Sequence, residues 1–140
     1  MNHPQRTSPR LRQYDYSQHG AYFVTLCVQH RASCFGEIVN GQMRLNPAGA
    51  MIEWYWSRVP QQFPCIEIDL FVVMPNHFHG IVLLDGAPTV SLSTVIQWFK
   101  TMTTSTYIRG VDKQGWEPFA GKLWQRSYVI TITSSAMSRI

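Results

Sequence analysis

His77 and His79, separated by Phe78 in Met74-Pro-Asn-His-Phe-His-Gly-Ile-Val-Leu83, carry the most chemistry in the shortest span. Side chains alternate between faces on an extended strand, so the two imidazoles project from one side while Phe78 enters the other. Two such rings can share a divalent cation if a third group and open positions for substrate and water complete the site. The same spacing also describes two half-exposed histidines with no ion between them. The Pro75-Asn76 turn just ahead places the pair at the start of a strand, on rigid backbone rather than on a loop.

Charge supplies a second set of candidates. Lysine, arginine and acidic residues cancel over residues 1–85, and residues 86–140 carry the whole formal charge of +4. Lys100, Lys122 and Arg126 lie in that basic part, and Arg6, Arg10 and Arg12 form a basic arm near the N-terminus. A polyanion such as nucleic acid is drawn to such a surface, and phosphate contacts of this kind position DNA without reading its sequence. Each of these residues is equally readable as a solvated charge.

Composition narrows the class. At 140 residues and 45% hydrophobic content, the chain fits one domain with a core and does not fit global disorder. The sequence contains no apolar run long enough to span a bilayer, so no membrane partner is expected. Residues 1–10 lack the apolar stretch of a secretory signal. Three cysteines without a C-x-x-C spacing argue against a disulfide framework, and a reducing cytoplasm is the expected compartment.

Elements must hold these groups in place. Residues 1–18, with two prolines and three arginines, read as a mobile arm, and 21–29 read as a first strand rich in β-branched and aromatic residues. Asn40-Gly41 predicts a tight hairpin. Asn46-Pro47 opens a helix with the apolar stripe Ala48, Met51, Ile52, Tyr55 and Val59, which Pro60 stops. In residues 66–74, Ile66, Ile68, Leu70, Val72 and Met74 alternate with Glu67, Asp69, Phe71 and Val73, predicting a central strand. Residues 77–84 form the return strand after the Pro75-Asn76 turn. Ser91 caps a second helix whose stop falls at Gly110, and 111–123 read as a loop. Trp54, Trp56 and Tyr107 are expected to serve packing. The order predicts a ferredoxin-like α+β sandwich, with an antiparallel sheet and two main helices on one face.

The extended histidine motif resembles the signature of the HUH (histidine-hydrophobic-histidine) nuclease superfamily. Tyr14-Asp-Tyr-Ser17, Gly20-Ala-Tyr-Phe-Val-Thr25, Phe35-Gly-Glu-Ile38, Leu45-Asn-Pro-Ala-Gly49 and Gly121-Lys-Leu-Trp-Gln-Arg126 narrow the resemblance to single-tyrosine insertion-sequence transposases, especially REP-associated tyrosine transposases. The resemblance implies a homodimer that binds single-stranded or hairpin DNA, with Mg²⁺ or Mn²⁺ held by His77, His79 and a third ligand. It also implies attack by a tyrosine hydroxyl to give a 5′-phosphotyrosine and a free 3′-hydroxyl. Two other readings stay open: a domesticated, non-catalytic hairpin-binding module, and a small structural domain with incidental histidines.

The nucleophile does not carry over. In the family, Trp-Gln-Arg is followed by a segment similar to Tyr-Tyr-Asp-His-Ile-Ile-Arg-Asn-Glu and then by a helix bearing the tyrosine. Here Ser127-Tyr-Val-Ile-Thr-Ile-Thr-Ser-Ser-Ala-Met-Ser-Arg-Ile140 stands instead. Codons for residues 129–137, read two bases later, permit that family segment in order. The chain therefore reads as a basic arm (1–18), a transposase-like domain (19–126) and an aberrant, frameshifted tail (127–140), with the catalytic tyrosine absent and Tyr128 the fallback. A genuine last strand is the alternative, since residues 129–133 alternate and have high β propensity. Sequencing the gene tests the frameshift: the shifted frame is expected to run on into a family-like helix, and a frame without one removes the idea.

Overall fold

A computed structural model describes residues 5–7, 20–84 and 90–133. At its centre lies β2 (Gly20–Cys27), whose Tyr22, Val24 and Leu26 are buried. Antiparallel neighbours flank it, β6 (His77–Leu84) on one side and β7 (Tyr128–Thr133) on the other. Beyond β6 lies β5 (Ile66–Met74) and beyond β7 lies β1 (Gln5–Thr7), giving the order β1-β7-β2-β6-β5. A separate hairpin, β3 (Gly36–Val39) with β4 (Gln42–Leu45), turns on Asn40 and Gly41, both at positive φ.

Two helices cover one face of the large sheet. Helix α1 (Pro47–Ser57) starts where Asn46 accepts a hydrogen bond from the Gly49 amide, and α3 (Leu92–Gln114) starts at the Ser91 cap. The aromatic centre of the core joins all three layers. Trp56 of α1 lies 4.8 Å from the Phe78 ring of β6 and 5.2 Å from Phe99 of α3. Phe78 and Phe99 are 5.2 Å apart. With the predicted hairpin beside it, and with β1, β7 and the short α2 (Val59–Gln62) added to the predicted elements, this is the ferredoxin-like α+β sandwich. No helix among the described residues is long and apolar enough to cross a membrane.

Several local expectations need correction. Strand β5 is an edge strand rather than a central one, and Leu70 is 76% exposed. Its register shifts between Ile68 and Phe71, so Asp69 and Leu70 together face Ile81. The bulge switches faces: Ile66 and Ile68 pack inward before it, and Phe71 and Val73 after it. Apolar alternation alone could not show that extra residue.

Helix α3 does not stop at Gly110. Trp116 packs over that glycine, where a Cβ would collide with its indole, and the cap is Gly115 at φ 76°. Residues 111–114, expected in a loop, are helical. Pro60 occupies the first turn of α2, where its missing N–H costs nothing. Gln5–Thr7, expected inside a mobile arm, pairs with residues 128–130 and covers the free edge of β7. Trp54 is half exposed and carries the Arg58 guanidinium on its ring, so of the two tryptophans on α1 only Trp56 is core.

Gly80 shows how tightly the core closes under the histidine strand. A Cβ there would stand 2.7 Å from Trp56 and 2.9 Å from the Phe78 ring. Gly80→Ala should therefore cost about 1–3 kcal/mol by overpacking. Urea denaturation checks it, and an unchanged midpoint would mean that Trp56 can give way.

Candidate metal and nucleic-acid site

The face of the sheet opposite the helices carries the histidines. Because Phe78 is sealed in the core, His77 and His79 must point outward, and their rings stand 4.7 Å apart at 82°. Pairing across the sheet sets their neighbours. Cys27 and Met74 flank His77, while Thr25 and Val72 flank His79. Each ring is held at its inner nitrogen: His77 Nδ1 lies 2.7 Å from Asn76 Oδ1, and His79 Nδ1 lies 2.9 Å from Thr25 Oγ1. Neither contact occupies Nε2, the nitrogen on the far side of each ring. Among the described residues no third histidine, cysteine or carboxylate joins them in a cation cluster. The pair fits a divalent ion as two neutral nitrogen donors, with further ligands coming from elsewhere.

One contributor was not legible in the sequence. After β2 the chain makes a 3-10 turn at Gln29–Arg31, with His30 and Arg31 at φ 61° and 56°. Left-handed backbone costs about 1 kcal/mol or more at each non-glycine residue, so the surroundings must impose it. They do so through backbone hydrogen bonds. Val28 N–H donates to the Asn76 carbonyl, Gln29 N–H to that of Leu123, and Phe35 N–H to that of Pro75. The turn aims the Arg31 carbonyl at the Asn76 amide, 3.4 Å away, and brings the guanidinium within 3.8 Å of Cys27 Sγ. No local motif announces this, because the partners come from two separate segments, residues 75–76 and Leu123.

The other anticipated residues scatter. Lys122 and Arg126 are exposed along a cleft of about 1100 Å³ beside α3, none of whose lining residues shares the histidine face. Lys100 lies in the same cleft, but its ammonium donates to the Gln125 and Arg126 carbonyls and sits 5.1 Å from the Tyr128 ring centre. Burial and the nearby Lys122 charge bring its pKa down to about 8. It works as a staple for the segment entering β7, not as a free phosphate contact. Arg6 sits opposite Val129 in β1, and Arg10 and Arg12 lie outside the described residues.

Tyr128, the fallback nucleophile, is buried on the helix side. Its neighbour Val129, paired with Thr25, takes the outward position. Tyr107 is structural as expected: buried, it donates to the Glu117 carbonyl and packs against Trp116 and Phe119.

Beside His79 the outer face forms an open apolar cleft of about 560 Å³, lined by Phe23, Leu70, Val72, Ile81 and Thr131. Partial burial lowers the pKa of both histidines below the ordinary 6.5, and for His77 the charges of His79 and Arg31 add to the effect. Both rings are therefore neutral at pH 7, the form that can ligate a metal. The unfolded chain binds more protons between 6.5 and the lowered values, so stability from this source is complete above 6.5 and declines as acid carries the protein through that window. Titration by NMR should place both midpoints below 6.5 in the metal-free protein; a midpoint at or above it would contradict the geometry.

The comparisons with known proteins agree with this architecture. An uncharacterized protein of Haemophilus influenzae is 46% identical over 77 residues, which are 55% of this chain and 43% of that protein. The chain thus spans less than half the length of that relative. A solved structure of a REP-associated tyrosine transposase bound to a REP hairpin superposes with a TM-score of 0.57 at 21% identity, covering 93% of this chain and 66% of that one, a likeness of fold. The family described as "Transposase IS200 like" matches residues 17–140, which run from before β2 through β7 and include both histidines. This chain belongs to the IS200-like transposase family.

Proposed function

We propose that this protein binds single-stranded and hairpin DNA across the outer face of its sheet, and that its own described tyrosines do not supply the attacking group of the transposase reaction. One observation carries the first half: two neutral imidazoles stand side by side on the outer face of an interior strand of an IS200-like transposase. His77 and His79 would hold Mg²⁺ or Mn²⁺. A divalent ion there supplies charge neutralisation at the phosphoryl oxygens of a DNA phosphate. Arg31 adds a fixed cation at the same end of the site. Phe23, 42% exposed, stands two residues from Thr25 along β2, about 7 Å away on a strand. With Leu70, Val72 and Ile81 it offers an apolar shelf for an unstacked base next to that phosphate. Lys122 and Arg126 can extend the phosphate path on the α3 side. The hairpin bound by the structurally similar transposase supports the same class of partner.

The second half rests on where the tyrosines lie. Tyr22, Tyr107 and Tyr128 are buried in the core, and the Tyr55 hydroxyl is bonded to Thr106 of α3. Among the described residues no tyrosine shares the face of the histidines. A phosphotyrosine intermediate therefore has no donor there, and the reading is a copy that binds without cleaving. The homodimer implied by the resemblance belongs to this reading and is measurable by sedimentation equilibrium.

A labelled single-stranded hairpin with Mn²⁺ tests the proposal. Binding should weaken as salt rises, because phosphate contacts release counterions. No protein–DNA adduct should survive a denaturing gel, and His77→Ala with His79→Ala should remove the Mn²⁺-dependent part of binding. An adduct lost in Tyr128→Phe would overturn the assignment of inactivity. Absence of any hairpin binding would leave only a structural domain.

A further inference from the structure

Two residues flanking the site show a relay that the proposed function does not by itself require. The Asn76 side chain bridges the Arg31 carbonyl and the His77 ring, at 3.4 Å and 2.7 Å. A carbonyl only accepts hydrogen bonds, so the amide nitrogen must face Arg31. The amide oxygen then faces His77 Nδ1, and since that oxygen can only accept, Nδ1 must carry the proton. In the neutral ring the other nitrogen, Nε2, is then the one with the free lone pair. Thr25 cannot settle His79 in this way, because a hydroxyl can either donate to or accept from Nδ1.

We propose that the left-handed His30–Arg31 turn and Asn76 form a positioning relay that locks His77 in the Nδ1–H tautomer, with Nε2 presented outward as the pre-formed metal ligand of the pair. The relay gives the two consecutive non-glycine residues at positive φ beside the site a role, since in that backbone the Arg31 carbonyl meets the Asn76 amide. It also ranks the pair, His77 being fixed before any ion arrives and His79 free to choose its tautomer. The inference rests on the reading of His77 as a metal ligand, yet the tautomer is measurable without metal or DNA, so the two ideas fail separately.

Long-range ¹H–¹⁵N correlation of the metal-free protein, above the pKa of both rings, reads the tautomer directly. Wild type should show His77 protonated at Nδ1. Asn76→Ala removes both contacts of the relay and should lose that form. Arg31→Gly keeps the carbonyl and suits positive φ, so it should retain that form. Titration with Mn²⁺ alone, followed by electron paramagnetic resonance, should show binding about 10-fold weaker in Asn76→Ala than in wild type. An Nε2–H His77 in wild type overturns the relay even if no variant folds. So does an Asn76→Ala protein with unchanged tautomer and Mn²⁺ affinity, or loss of the tautomer in Arg31→Gly.

Discussion

Phe78 is wedged between Trp56 and Phe99 with no exposed surface, and the placement of the histidines on either side of it follows from that burial. Removing a fully buried phenylalanine from such a cluster typically costs about 3–5 kcal/mol. A one-residue slip of β6 would incur that loss and also drive both imidazoles into hydrocarbon, so the register of the strand is strongly determined. The core thus acts as a clamp whose outer surface is the site. The same aromatic cluster requires glycine at position 80, tying the next inward position of the strand to the same packing.

On the outer face the supports are polar and come from different parts of the chain. Thr25 reaches His79 across the β2–β6 ladder, and Asn76 reaches His77 from the turn just before it. The loop after β2 is fastened to residues 75–76 and to Leu123 by backbone hydrogen bonds, so three segments distant in sequence meet at one end of the sheet. Trp124 anchors the last of them by donating from its indole to Thr103 in α3. Lys100 then holds the carbonyls of residues 125 and 126 as the chain enters β7. Lys100, expected among the phosphate contacts, is here an internal fastener like Trp124.

The sequence disclosed whatever depends on short-range pattern. Alternation around Phe78 placed the two imidazoles together, Asn46-Pro47 and Ser91 marked helix starts, Asn40-Gly41 marked a hairpin, and the element order indicated the sandwich. It was silent where distant segments decide the outcome. The bulge at residues 69–70 hides in an unbroken apolar alternation, and the continuation of α3 past Gly110 depends on Trp116 folding back over it. The exchange of Lys100 from surface charge to half-buried staple needs the carbonyls of residues 125 and 126, and the Arg31 turn needs partners on two distant segments. Tyr128 looked available because it follows a basic stretch, but strand alternation turns it to the helix side.

The site works only if the imidazoles of His77 and His79 act together on one cation. Crystals grown with Mn²⁺ and measured at the manganese absorption edge test that most directly. One anomalous peak within bonding distance of Nε2 of both His77 and His79 is the predicted result. A well-ordered site with both rings resolved and no peak between them would contradict it.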